Sequence, residues 1–365
     1  MGRVRVFCVL LALVTAVGAA PGAAAQDNSA PAASTEDLQQ CIEALLRRHN
    51  VAGADIGSER PLISRHPGDL GLATRDGFAW SGGFGVADRS NGAPVTASTH
   101  FRAGSVSKTF IAIARVQLAR QGKLDLDAPL RQIAPEVPYT NAWESSHPVR
   151  IAHLLEHTAG FDDMRFNEFY NIRHRPDLPL MEALQLNPRS RVTRWAPGTR
   201  VSYSNPGYAI AGYVLEKLTG RGYAEAVRNL VFEPLGMNTS RFAAAPSDDP
   251  ALTAGYDGRA RAASRPIYSR PAGSLQTSAE EMTRFVEMLL RGGTTHTGER
   301  LLEEQDLLRM ERPATSNAAR AGLEHGYGLG MFADVEGKTI LFGHDGGIEG
   351  FTSYYGYSRE HGIGG

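Results

Sequence analysis

Ser105 and Lys108 stand three residues apart in Phe101-Arg-Ala-Gly-Ser-Val-Ser-Lys-Thr-Phe-Ile-Ala-Ile-Ala-Arg-Val-Gln-Leu118. A serine hydroxyl is a poor nucleophile until a neighbour takes its proton. A lysine withdrawn from water can lose its own proton and become that neighbour. Residues three apart on a helix share a face, so the amine can approach the hydroxyl if a helix starts here. The first backbone N–H groups of such a helix favour the negative charge that forms on attack. The plainer alternative is a Ser105 that only caps the helix and a solvated Lys108. Lysine usage favours the chemistry. The chain holds 38 Lys plus Arg, yet its only lysines are Lys108, Lys123, Lys217 and Lys338. Of these only Lys108 has a serine three residues before it, and an arginine could not release a proton near neutral pH.

The elements that must position this pair follow from the pattern around it. From Ser107, apolar residues recur at helical spacing through Phe110, Ile111, Ala114, Val116 and Leu118, which predicts a buried or half-buried helix. Upstream, Gly77 to Asp88 reads as a Gly-rich strand region carrying Phe78, Trp80, Phe84 and Val86. Val51 to Arg75 starts like a strand and then breaks into a loop or insertion. Ser34 or Thr35 can cap a helix through Leu38, Ile42, Leu45 and Leu46 to about Asn50. Cys41 falls on that helix.

Downstream, Ile151 to His157 predicts a short helix stopped by Gly160, and Arg165 to Pro188 reads as an irregular loop at the edge of a cleft. Helical spacing returns from Tyr208 to Leu218, ending at Gly220, and from Tyr223 to Phe232, ending at Pro234. Thr277 or Ser278 caps a helix running to Gly292. Tyr327–Phe332, Thr339–Phe342 and Phe351–Tyr357 read as strands. Helices therefore dominate between about 121 and 275, with sheet-forming segments on both sides, about 36–120 and 276–365. This is an α+β pattern with a helical insertion walling a cleft.

Composition bounds the class. Arg3 and Arg5 precede an apolar run from Val6 to Ala20, followed by Ala23-Ala24-Ala25, so residues 1–25 read as a secretory signal peptide. Residues 26–35, rich in Ala, Pro and Ser, read as a flexible leader, and 36–365 as the folded domain. Loss of Arg3 and Arg5 makes the formal net charge of −1 more negative by two, which argues against a nucleic-acid surface or a basic membrane patch. Of the two cysteines, Cys8 leaves with the signal, and Cys41 alone can form no internal disulfide. No later stretch is long and apolar enough to span a membrane. The product is expected to be exported, periplasmic or secreted from a bacterium.

Three motifs in order resemble the serine β-lactamase and penicillin-binding protein superfamily. They are Ser105-Val-Ser-Lys108; Tyr203-Ser-Asn205 inside Pro197-Gly-Thr-Arg-Val-Ser-Tyr-Ser-Asn-Pro-Gly-Tyr208; and His344-Asp-Gly346 inside Gly343-His-Asp-Gly-Gly-Ile-Glu-Gly-Phe351. The nearest branch holds class C β-lactamases, D,D-carboxypeptidases, D-aminopeptidases and esterases. His153–Gly160 and Pro271–Glu280 also resemble family segments. The resemblance covers about Leu38 to the end. It implies an antiparallel sheet flanked by helices, with an inserted all-helical domain. It implies an acyl-enzyme on Ser105, with Lys108 and Tyr203 as acid/base pair and oxyanion donors from Ser105 and Gly347. It also implies substrate contacts from Asn205, His344, Asp345 and Gly346, a small-molecule or peptide substrate, and no metal or organic cofactor.

A phenol beside a lysine cation loses its proton more easily, so Tyr203 can serve as a base. Asn205 offers donor and acceptor groups to a substrate amide. Glycines at 346, 347 and 350 permit close approach to a ligand. Tyr139-Thr-Asn141 also fits Tyr-x-Asn, but lies too soon after Lys108. His153-Leu-Leu-Glu-His157 fits a rival, a zinc peptidase gripping metal with His153 and His157 and using Glu156 as base. A non-catalytic protein that keeps the cleft is a third reading.

Two departures from the family pattern shape expectations. Relatives follow the last strand-like run with another strand and a C-terminal helix; here the chain reads as lacking both, which would expose apolar surface. Penicillin-recognising relatives often carry Lys-Thr-Gly where this chain has His344-Asp345-Gly346. If both side chains face the cleft, a carboxylate is less welcome there. If Asp345 points away, His344 alone meets it.

Overall fold

The computed structural model describes residues 68–365, apart from Phe78, Asn187 and Arg259. The expected signal peptide, leader and first helix lie outside the described residues.

Residues expected to form a loop before Arg75 instead begin a sheet. Gly68–Thr74 (β1) pairs antiparallel with Ala79–Phe84 (β2), from Gly68 opposite Phe84 to Ala73 opposite Ala79. Leu72 and Ala73 are buried there. Gly71 is needed because a Cβ would sit 2.1 Å from Thr283 Oγ1, on a helix packed across the strand. A glycine chosen for that close approach looks like a loop residue when read alone.

The chain then forms the short strand Phe101–Gly104 (β3) and the helix Ser107–Arg120 (α1). This helix is buried on nearly every side, from Ser107 to Val116. Phe110 meets Phe232 and Phe285 with ring centroids 5.2 and 4.7 Å apart. A helix buried on nearly every side lies in the middle of the core, and this one carries the candidate nucleophile turn at its start.

Four elements follow that matter to the site: the helix Ile151–Leu155 (α2), the helix Asn205–Thr219 (α3), the strand Leu275–Thr277 (β4) and the helix Ala279–Leu290 (α4). Ser204 caps α3 by accepting from the Gly207 N–H, and Gly220 ends it at φ 66°. Ser278 caps α4. The expected stop at Pro234 is corrected. A π turn over Arg228–Phe232 leads into Glu233–Leu235, and Gly236 at φ 71° ends the run. The proline cannot bond the Leu230 carbonyl four residues back; that oxygen accepts from Gln117 Nε2 at 2.7 Å instead. The expected loop at 165–188 is also corrected: it contains helices at Phe166–Phe169 and Leu180–Leu186, with Leu180 and Leu184 in the core.

The last third returns to the sheet as Phe332–Glu336 (β5), Thr339–Ile348 (β6), Phe351–Ser358 (β7) and Ile363–Gly364 (β8). The strand expected at Tyr327–Phe332 starts only at its last residue. The six strands run β5-β6-β7-β8-β1-β2, every neighbour antiparallel. The expectation that no strand follows β7 is corrected too. Gly362, at φ 64°, turns the chain back so that β8 enters between Tyr357–Ser358 and Ala73–Thr74. Beyond it, Gly68–Gly71 and Phe351–Tyr355 line a cavity of about 290 Å³ that reaches Met282 and Val286.

Candidate active site

The turn between β3 and α1 carries Ser105. Ser107 pins it, donating to the Gly104 carbonyl at 2.6 Å and accepting from the Leu275 N–H at 3.0 Å. Lys108 is fully buried one turn on. Its Nζ stands 2.9 Å from Ser105 Oγ and donates to the Ala272 carbonyl at 2.8 Å. Burial pushes the amine down to about 7, while the carboxylates of Asp163 and Asp345 pull it back up. An ordinary lysine titrates near 10.4, so this one can hold or release a proton near neutral pH.

Tyr203 lies just before α3, 38% exposed, with Lys108 Nζ 4.9 Å from its ring centroid. Asn205, on the first turn, is tied down twice: its backbone N–H and its Nδ2 both donate to Asp163 Oδ1 at 3.0 Å. Its Oδ1 is buried without a hydrogen-bond partner, an acceptor left over for a donor group. Gly346 and Gly347 lie on β6, which runs against β3. A Cβ at Gly346 would strike the Ala103 carbonyl at 2.1 Å, and one at Gly104, which has φ 49°, would lie 3.0 Å from the Gly347 nitrogen. A Cβ at Gly347 meets nothing within 4 Å. So the Gly347 backbone borders the Ser105 turn and faces open space, where a substrate carbonyl can enter.

His344 departs from expectation. It is 1% exposed, with Nε2 2.7 Å from the Tyr327 hydroxyl and Nδ1 2.5 Å from the Asp345 carbonyl. Its ring lies among Tyr327, Phe332 and Tyr203. Alternation along β6 sends the neighbouring side chain to the other face. It is therefore Asp345, 32% exposed and felt by Lys108, that reaches solvent at the cleft. His344 backs the site from inside the protein and does not line it.

The zinc alternative fails on geometry. α2 ends at Leu155, and His157 leaves the helix with φ 57°, so the two histidines do not share a helical face. Glu156, the supposed base, is fully buried as an anchor. It accepts from Arg309, from the Ala314 and Thr315 N–H groups at 3.0 and 2.8 Å, and from Thr315 Oγ1 at 2.7 Å. Glu156→Ala would leave these donors facing a void and should cost about 3–5 kcal/mol. A urea titration checks this, with a loss under about 1 kcal/mol as the contrary outcome. The second Tyr-x-Asn is structural as well: Tyr139 and Asn141 both bond Glu144. A cavity of about 580 Å³ beside Arg312 and Arg359 is lined by none of the residues around Ser105, and Arg359 in it is paired with Glu304 and Glu311.

Comparison with known proteins supplies the family. The Beta-lactamase family model matches residues 38–365. The chain belongs to the β-lactamase family. Penicillin-binding protein 4 of Amycolatopsis lactamdurans is 30% identical over 337 residues, 87% of this chain and 80% of that protein. Esterase EstB of Burkholderia gladioli is 35% identical over 173 residues, 44% of this chain and 43% of its own. The D-amino acid amidase of Ochrobactrum anthropi SV3, solved with L-phenylalanine, is 25% identical with a TM-score of 0.69, covering 90% of this chain and 89% of that one. This member of the β-lactamase family is thus a serine hydrolase with the sheet-and-helix fold expected of it.

Two residues of this β-lactamase-family site were missed from sequence. Asp163 holds Asn205 and acts on Lys108, and Ala272 anchors the lysine through a backbone carbonyl. The only signal for Asp163 was its place just after His153–Gly160; Ala272 falls inside Pro271–Glu280, but a backbone carbonyl leaves no mark on residue type.

Proposed function

We propose that the chain is an exported serine hydrolase that cleaves esters or amides through an acyl-enzyme on Ser105. The observation that carries this reading is the buried Lys108 amine, 2.9 Å from Ser105 Oγ and titrating near 7. Neutral Lys108 takes the hydroxyl proton as Oγ attacks the substrate carbonyl. The N–H groups of Ser105 and Gly347 hold the oxyanion. Tyr203 gives its phenol proton to the leaving group and is reprotonated by the Lys108 ammonium, so the serine's proton ends on the leaving group, and water then releases the acyl chain. Asn205 Oδ1 is the acceptor for a substrate amide. Export is supported by the apolar run Val6–Ala20 and the small residues at 23–25. Among the described residues no helix is long and apolar enough to cross a membrane.

Labelling tests the nucleophile. A fluorophosphonate or a fluorescent penicillin should attach covalently to the wild type and not to Ser105→Ala. A wild type that neither reagent labels removes the assignment.

A further inference from the structure

His157 carries no reacting atom, yet its geometry is unusual. Among the described residues it is the one non-glycine with a positive φ, 57°. A left-handed backbone is strained for an ordinary residue and persists where the surroundings demand it. The demand is visible. The His157 carbonyl accepts from the Ser202 N–H at 2.7 Å, and its Nδ1 accepts from the Ser204 N–H at 3.0 Å. Both backbone donors flanking Tyr203 thus end on one residue. A right-handed φ would carry the carbonyl onward along the helix axis; the left-handed turn swings it out to the 202–204 segment. The imidazole also lies under the Tyr203 ring, centroids 4.2 Å apart and planes 35° apart.

The tautomer follows. Nδ1 accepts, so the proton sits on Nε2, which is buried without a hydrogen-bond partner. A second proton would turn Nδ1 into a donor facing the Ser204 N–H. Burial opposes that charge, and the neighbouring Lys108 and His344 add to the opposition. Tyr208 and Tyr327 close the remaining sides, with ring centroids 5.3 and 4.4 Å away.

We propose that His157 is a positioning residue for Tyr203, a neutral imidazole that clamps the segment on both sides of the tyrosine and supports its ring, holding the phenol beside Lys108. This rests on the assignment of Tyr203 as proton carrier. Displacement of a reacting group by about 1 Å can cost 10²-fold in rate.

The test compares three variants and a double mutant in acylation by p-nitrophenyl butyrate. His157→Phe keeps a ring but has no acceptor for Ser204; it should lower kcat at least tenfold with KM nearly unchanged. His157→Asn tolerates the left-handed backbone and places an oxygen where Nδ1 was; it should recover most of that loss. Because His157 acts through Tyr203, His157→Phe added to Tyr203→Phe should cost less than threefold more. A folded His157→Phe with wild-type kcat overturns the proposal, as does a folded His157→Asn no better than it. An equal cost of His157→Phe in both backgrounds overturns it while leaving the tyrosine assignment intact. A wild-type rate for Tyr203→Phe sinks that assignment, and the clamp with it.

Discussion

Lys108→Arg should lower kcat/KM for acylation by about 10²–10⁴-fold, the usual worth of a positioned acid or base. Lys108 is fully buried, with its amine held between Ser105 Oγ and the Ala272 carbonyl. Burial pushes its pKa down to about 7, so near neutral pH the amine can be free to take a proton. Arginine keeps the charge and cannot cycle the proton. Tyr203→Phe should fail comparably, because only the phenol oxygen is lost and the ring can still face His157 and Lys108. The pH dependence has a definite sign. Lysine is a base only when unprotonated, so the wild-type rate should rise about tenfold per unit below pH 7 and level off above it. Stopped-flow acylation across pH 5–9 checks this, with circular dichroism to show that the variants fold. A Lys108→Arg enzyme turning over near the wild-type rate would falsify the role, and a flat wild-type profile from 5 to 7 would count equally against it.

The second large effect concerns the substrate's charge. Carboxylate substrates, such as penicillins, cephalosporins and peptides ending in free D-alanine, should be poor. Neutral esters and amine-bearing amides should be better. The cause is the field at the cleft. His344 is buried behind the site, while Asp345 reaches solvent and Asp163 lies close enough to act on Lys108. Two carboxylates thus face one lysine whose positive charge burial weakens. A unit charge about 6 Å away at an effective dielectric near 40 contributes on the order of 1.4 kcal/mol, or about tenfold. Asp345→Thr should therefore raise kcat/KM for a chromogenic cephalosporin and a D-Ala-D-Ala peptide roughly tenfold relative to p-nitrophenyl butyrate. The gain should shrink in high salt, since the site is open to solvent. A wild type that prefers either carboxylate substrate to the ester would refute this account.

Part of the site is local, and that part is legible in the chain. The turn that leads into the helix brings Lys108 back over Ser105, its N–H donating to the Ser105 carbonyl at 3.0 Å, a contact made within four residues. Gly220 ends the helix behind Asn205 for an equally local reason, its freedom to take φ 66°. The order of the three motifs was enough to indicate the family and hence the sheet. Expectations failed where distant packing overrides local preference. Gly71 marks a strand crossed by a helix, and Pro234 sits in a helix that a π turn lets continue.

The amino-acid sequence by itself determined which groups can react: one serine paired with one lysine, a tyrosine, an asparagine and a glycine-lined strand. Tertiary structure alone decided how they are tuned. Strand alternation says that His344 and Asp345 point to opposite faces, and only the packing of Tyr327, Phe332 and Tyr203 selects the histidine for the inside. Asp163 meets Asn205 across 42 residues, and His157 meets the chain beside Tyr203 across a similar gap. Lys108 becomes a base near neutral pH because the whole core closes over it. Apolar spacing foretold that the helix after Ser107 would be buried, but its distant partners, the Ala272 carbonyl among them, are properties of the assembled protein.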